Sequence, residues 1–244
     1  MESLKSITVL GSSAASTFKG ADQSKSWPHL LERELSNVSE FQSKIVSGLT
    51  FVRSIPELSE FRKTDLLILH FGTAIGWPSA VVRKGIIWGI NYTNEFGLHQ
   101  SAYRSKSLPR RIKSFLKARL RNTIKYGLFF TGRYRARINR REIDDQIKAV
   151  INIARQKSDR IIWIQHQALQ HRSILVERLS YRRYYKEIIR CLEKYRSTNF
   201  LVITLPDGFL VQENYLLDCV HLSDKGHQML NDLILKQINT IMLR

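Results

Sequence analysis

With 244 residues, 43% of them hydrophobic and 10% aromatic, the chain has the composition of a folded protein and the length for one sizeable core. That excludes a disordered or fibrous chain. No apolar run reaches the roughly 18–20 residues of a membrane-spanning helix, and two cysteines, Cys191 and Cys219, make no disulfide framework. The formal net charge is +18, so its location matters.

Residues 7–10 read as a short buried strand that breaks at Gly11 onto the hydroxyls of Ser12 and Ser13. No secretory signal is legible before it, and a cytoplasmic protein, with the inner membrane face as a peripheral site, is expected. Ser26 and Pro28 open a helix, the serine as cap and the proline in the first turn. A second strand is expected at 44–46, ahead of Gly48. A third, at 66–71, is an apolar run broken only by His70, as in a strand buried on both faces.

The interval from Gly72 to Arg160 far exceeds the dozen or so residues a parallel crossover needs. Inserted structure must lie there, and it holds most of the charge. Between Glu95 and Glu142 stand fourteen Lys and Arg and no acidic residue; removing fourteen from +18 leaves +4 for the rest. Ile112, Phe115, Leu116, Leu120 and Ile124 recur at helical spacing among these cations, which predicts a cationic amphipathic helix over 108–126. An apolar break at 127–132 and an arginine cluster at 133–141 follow.

Ile143, Ile147, Val150 and Ile151 lead back to the sheet. Strands are expected at 160–164 and 200–205, with a helix between them that carries Leu175, Leu179, Ile188, Ile189 and Leu192. A last helix from Ser223 presents Leu230, Leu233, Ile234, Ile238 and Ile241 on one face. Strand and helix thus alternate, the pattern of a mostly parallel sheet covered on both faces. A single domain over 1–244 is expected, with a basic, largely helical insertion at 100–142.

Ligands of an open parallel sheet bind beyond the carboxyl ends of its strands. Ser13, Gly48 and Gly72 follow the first three strands and can share that rim. Ser13 is also expected beside a helix N-terminus. Near the other end, Asp218-Cys219-Val220-His221 places a carboxylate and an imidazole three residues apart. The acid can orient the ring, and the ring can take a proton from a serine. His166 and His171 have no further ligand cluster and are read as core or surface histidines, so no metal is assigned. His70 either lines the crevice or is a satisfied core histidine.

Together these residues resemble the SGNH (GDSL-type) hydrolases, a family of esterases, lipases and carbohydrate deacetylases. Gly11-Ser12-Ser13 stands where that family has Gly-Asp-Ser, Gly48 matches its second-block glycine, and Asp218 and His221 match its last block, continued by Leu222-Ser223-Asp224-Lys225-Gly226-His227. The resemblance covers roughly residues 5–75 and 160–240. It implies a three-layer α/β/α flavodoxin-like sandwich around a mostly parallel five-stranded sheet. It also implies Ser13 as nucleophile, His221 as base, Asp218 as its orienting acid, and the N–H groups of Ser13 and Gly48 as oxyanion donors. No cofactor is implied. The expected substrate is an acylated carbohydrate or glycolipid, with a place in surface-polysaccharide biosynthesis.

The third block departs from the family, with Ala74 where an oxyanion-binding Asn belongs. Loss of one such donor costs on the order of a hundredfold in rate. Thr73 is the candidate substitute, with Asn91 and Asn94 as alternatives. An O-acyltransferase using the same triad and a non-catalytic polyanion binder remain as other readings. The candidate polyanion-binding residues are Arg110, Arg111, Lys113, Lys117, Arg133, Arg135 and Arg137. Like charges so concentrated repel unless a partner neutralises them. An anionic membrane surface is the first candidate partner, anionic glycans or lipid-linked phosphates the next, and nucleic acid, for which no recognition motif is present, the last.

Overall fold

A computed structural model describes residues 4–17, 22–35, 40–72, 78–80, 86–87, 90–91, 108–131, 134–136, 140–167, 175–216 and 220–242. Its strands are β1 (Ser6–Ser12), β2 (Glu40–Val46), β3 (Leu66–Phe71), β4 (Pro78–Ala80), β5 (Ile86–Ile87), β6 (Ile90–Asn91), β7 (Tyr134–Ala136), β8 (Ile161–Gln165) and β9 (Phe200–Thr204). The helices of eight or more residues are α1 (Trp27–Glu34), α2 (Phe51–Glu60), α3 (Leu108–Phe130), α4 (Ile143–Lys157), α5 (Leu175–Glu193) and α6 (Asp224–Met242).

Five strands form the central sheet in the order β2-β1-β3-β8-β9, and every pairing is parallel. This is the expected flavodoxin-like order, with its topological switch between β1 and β3. β3 and β8 are buried along their whole length because helices cover both faces. Alternate residues divide between two cores. Leu67, Leu69, Phe71, Ile161 and Trp163 join α2, α4 and α5 on one side through Phe51, Leu58, Ile147, Ile151 and Ile188. Leu66, Ile68, Ile162 and Ile164 join α1 and α6 on the other through Trp27, Leu31, Leu230 and Ile234.

Three elements differ from the sequence reading. β2 begins at Glu40 and not at 44: as an edge strand it is covered only in part, so its alternation of exposed and half-buried residues offers no apolar run. α2 was not expected, since it contains Pro56. That proline removes the bond to the Val52 carbonyl, but Val52 is exposed and water can replace it. Thr50 Oγ1 caps the helix by accepting from the Arg53 N–H at 3.3 Å. α3 runs to Phe130 in place of stopping at 126. One interior glycine costs a helix only about 1 kcal/mol, so Gly127 does not stop it.

The insertion leaves from the carboxyl end of β3 and returns through α4. Two small antiparallel ribbons, β4 with β7 and β5 with β6, lie within it. α3 packs on β7, and α5 packs on β4 and β7.

Two glycines give opposite expectations for alanine. At Gly226, in the first turn of α6, an added Cβ would lie 2.0 Å from the Asn214 carbonyl oxygen. Gly226→Ala should therefore lower stability by about 1–3 kcal/mol or more in chemical denaturation. Gly127 has open space around it, and Gly127→Ala should be neutral or stabilising by up to about 1 kcal/mol.

Candidate active site

Ser13 stands where β1 ends. Ser12 caps a three-residue 3₁₀ turn, Ser13–Ala15, and its Oγ accepts from the Ala14 N–H at 3.4 Å. Ala14 and Ala15 are buried, while Ser13 is only half-buried. The Ser13 carbonyl accepts from the N–H and hydroxyl of Ser16, at 3.3 and 3.0 Å. The helix N-terminus expected here is this single short turn, which offers local N–H groups and no extended helix dipole. Gly72, at the end of β3, is tight against it: a Cβ there would come within 2.7 Å of Ser12 Oγ. Ser13 and Gly72 therefore flank the β1/β3 switch point, where the crevice of such a sheet opens.

Gly48 follows β2 with φ of +66°, a left-handed conformation that favours glycine. The Arg53 guanidinium donates to the carbonyls of Ser47 and Gly48, at 3.4 and 3.3 Å. The Ser47 carbonyl and the Gly48 N–H belong to one trans peptide and point in opposite directions. A cation on that carbonyl thus fixes the direction of the Gly48 N–H and polarises it as a donor.

His221 is half-buried and sits in a closed loop between β9 and α6. The Leu216 N–H donates to its carbonyl at 2.8 Å, Tyr215 bridges Leu222, and the Ser223 N–H donates to the Asn214 carbonyl at 3.0 Å. Ser223 then starts α6, its Oγ accepting from the Gly226 N–H at 3.2 Å. A further tie comes from the end of β8. His166, fully buried, contacts the Val220 carbonyl through Nε2 at 2.7 Å. A carbonyl only accepts, so His166 carries its proton on Nε2. The main chain of His166 and Gln167 is itself held, by the hydroxyls of Tyr181 and Tyr215. The backbone just ahead of His221 is therefore anchored to the sheet through His166.

Trp27, completely buried at the start of α1, links the two ends of the chain. Its main-chain N–H donates to His227 Nδ1 on α6 at 3.3 Å, and its indole N–H donates to His70 Nδ1 on β3 at 3.2 Å. Both rings accept, so both are neutral there. Burial pushes His227 down to about 4; Asp224 and the Ser16 main chain oppose the shift, and His221 adds to it. Burial, then the neighbouring His166 and His227, hold His70 well below the ordinary histidine range. His227 thus feels both the Ser16 main chain, one turn after Ser13, and His221. Ala15, Trp27 and Leu222 share one buried cluster. The serine turn and the His221 loop lie on the same side of the sheet.

His70 is accordingly a core histidine and not a crevice residue. Asp218, Thr73, Ala74, Asn94, Arg133, Arg137, His171 and Cys219 lie outside the described residues. Asn91 ends β6; Arg110, Arg111, Lys113 and Lys117 lie on α3 and Arg135 on β7. Among the described residues, no group of three or more His, Cys, Asp or Glu could hold a metal ion. The supporting roles of Trp27, His166, His227 and Arg53 were missed from sequence. A lone histidine at a strand end has no distinctive spacing, and only His227 fell inside a recognised block.

No protein-family model matches the chain, and no curated protein matches it in sequence. Solved structures align along nearly its whole length. A lipase/acylhydrolase from Enterococcus faecalis is 16% identical, with a TM-score of 0.58 over 96% of this chain and 95% of that one. A variant of Axe2, an acetyl xylan esterase from Geobacillus stearothermophilus, is 14% identical, with 0.54 over 96% and 94%. A member of the lipolytic G-D-S-L family from Veillonella parvula is 10% identical, with 0.53 over 95% and 96%. At these identities the likeness is one of fold: the chain has the architecture of the SGNH hydrolases.

The two neutral histidines give the fold an acid limit. Each has a lower pKa folded than unfolded, so the unfolded chain binds protons first as pH falls below about 6.5. Stability should be full above that value and decline toward pH 4. His227 alone accounts for about 3 kcal/mol, from its fall from 6.5 to about 4. Thermal melts across this range should show the loss, and His227→Gln, which cannot be protonated, should make it shallower, with the His70 part remaining.

Proposed function

We propose that the chain is a serine ester hydrolase of SGNH type acting on O-acyl, chiefly acetyl, esters of carbohydrate or glycolipid. One observation carries the reading: the half-buried Ser13, at the carboxyl end of β1, lies on the same side of the sheet as the His221 loop, with Ala15 of the serine turn and Leu222 of that loop in one buried cluster. The whole-length fold likeness to lipases and an acetyl xylan esterase supports it.

In this mechanism Ser13 Oγ attacks the ester carbonyl as His221 Nε2 takes its proton, giving a tetrahedral oxyanion. Asp218 accepts from Nδ1–H, which keeps the ring in the required tautomer and stabilises its charged form. The N–H groups of Ser13 and Gly48 receive the oxyanion, the latter directed by Arg53. Collapse expels the sugar hydroxyl, which takes the proton from His221, and leaves an acyl group on Ser13. Water, deprotonated by His221, then releases the carboxylic acid and restores the serine. Thr73 is the proposed third donor in place of the family's Asn. Ser12 stands where the family has Asp, and it caps the serine turn by accepting the Ala14 N–H at 3.4 Å.

A fluorophosphonate probe and hydrolysis of an acetylated sugar test the assignment. Ser13→Ala should abolish labelling and lower kcat by roughly a thousandfold or more, whereas Ser12→Ala should still label. The reverse outcome would move the nucleophile to Ser12. Labelling of neither enzyme nor variants, with no turnover on any acyl ester, would leave a non-catalytic protein. Transfer to added sugar outrunning hydrolysis would make it an acyltransferase.

His166 gives a separate test of the loop. His166→Leu removes the donor to the Val220 carbonyl and should lower kcat by roughly tenfold with little change in KM, since one buried hydrogen bond is worth about 1–2 kcal/mol. His166→Gln, which can place an amide N–H near the Nε2 position, should restore most of the rate.

A further inference from the structure

The described side chains that α3 exposes are mostly apolar, where a surface helix ordinarily carries its charges. Among its described side chains the exposed positions are Pro109, Ile112, Leu116, Arg119, Thr123, Gly127, Phe129 and Phe130. Apart from Phe129 these recur every three to four residues, and so form one face. That face carries Ile112, Leu116 and Phe130, the last 82% exposed, with Arg119 as the one charge among the described side chains. Phe129, 40% exposed, stands edge-on to Phe130. The helix holds seven Lys and Arg and no acidic residue; the six besides Arg119 fall between these positions in the sequence.

We propose that α3 is an interfacial helix that docks this protein on an anionic phospholipid bilayer. A helix in that setting needs an apolar face turned outward, cations beside it to meet headgroup phosphates, and length to lie in the plane. α3 has all three, at 23 residues. No described helix is long and apolar enough to cross a membrane, and the contact proposed is a peripheral one. A second copy of the chain fits the face poorly, because pairing two such helices brings seven cations against seven. Nucleic acid would meet the charge and could stack on a phenyl ring, but Ile112 and Leu116 offer a base no stacking surface. A lipid surface takes aliphatic and aromatic side chains alike. The insertion leaves the sheet just beyond Gly72, so docking would hold the crevice rim toward substrates carried in the membrane.

Flotation of the full-length protein with phosphatidylcholine vesicles, with and without phosphatidylglycerol, tests this at low and high salt. Binding should need the anionic lipid and fall steeply with salt. The double substitution Leu116→Ser and Phe130→Ser, at exposed positions, should weaken it about tenfold or more while circular dichroism stays unchanged. Equal binding to uncharged vesicles would overturn the proposal, as would insensitivity to salt or to the double substitution. So would RNA binding or self-association, by light scattering, in a protein that ignores vesicles. Vesicle binding does not require a working Ser13, so this result and the hydrolase test can fail separately.

Discussion

One buried tryptophan holds two distant parts of the polypeptide in register. Trp27 gives its main-chain N–H to His227 and its indole N–H to His70, and so fixes α1 against both α6 and the end of β3. Each histidine serves only while neutral, because a protonated ring presents a donor where an acceptor is required. The low dielectric that makes these bonds strong also keeps the rings uncharged. Packing of the α1/α6 layer and the protonation state of its histidines are therefore one constraint. The serine turn and the His221 loop both rest on that layer.

The parallel sheet does the remaining positioning. Its order places β1 and β3 side by side at the switch point, so two chain breaks far apart in sequence, after Ser12 and after Phe71, meet at one crevice. Close approach there excludes side chains: Gly72 faces Ser12 Oγ, and Gly11 lies against Ala15 and Ile45. Across the rim, two buried side-chain ties reach toward the loops that matter, His166 to the Val220 carbonyl and Tyr181 to the His166 carbonyl. Each satisfies a buried polar group that would otherwise be costly. A common set of bonds thus supports stability and aims the loop.

The insertion follows a different logic. Residues of the sheet layers partition cleanly into two cores, whereas α3 keeps Leu116 and Phe130 in solvent. Exposed apolar side chains elsewhere stand singly, as at Val52, Leu179 and Val211, whereas α3, in the segment that holds fourteen of the cations, carries Ile112, Leu116, Phe129 and Phe130 together. Apolar exposure and one-signed charge are each unfavourable alone, and their coincidence on one helix gives the segment its functional interest.

Much of this was legible from the sequence because it depends on local pattern. Buried runs marked β1, β3, β8 and β9, the 3.6-residue period marked α4 and α6, and the glycines after the strands marked the rim. Ser13, Gly48 and His221 could be singled out as candidates because their neighbours in sequence are their structural context. β2 and α2 escaped because a half-covered edge strand and a proline-bearing helix lack the usual signals. The pairing of Trp27 with His70 and His227, and of His166 with Val220, was decided only by the tertiary fold. Periodicity reports which face of an element is buried and nothing about the atom it meets, and these partners are 43, 200 and 54 residues apart.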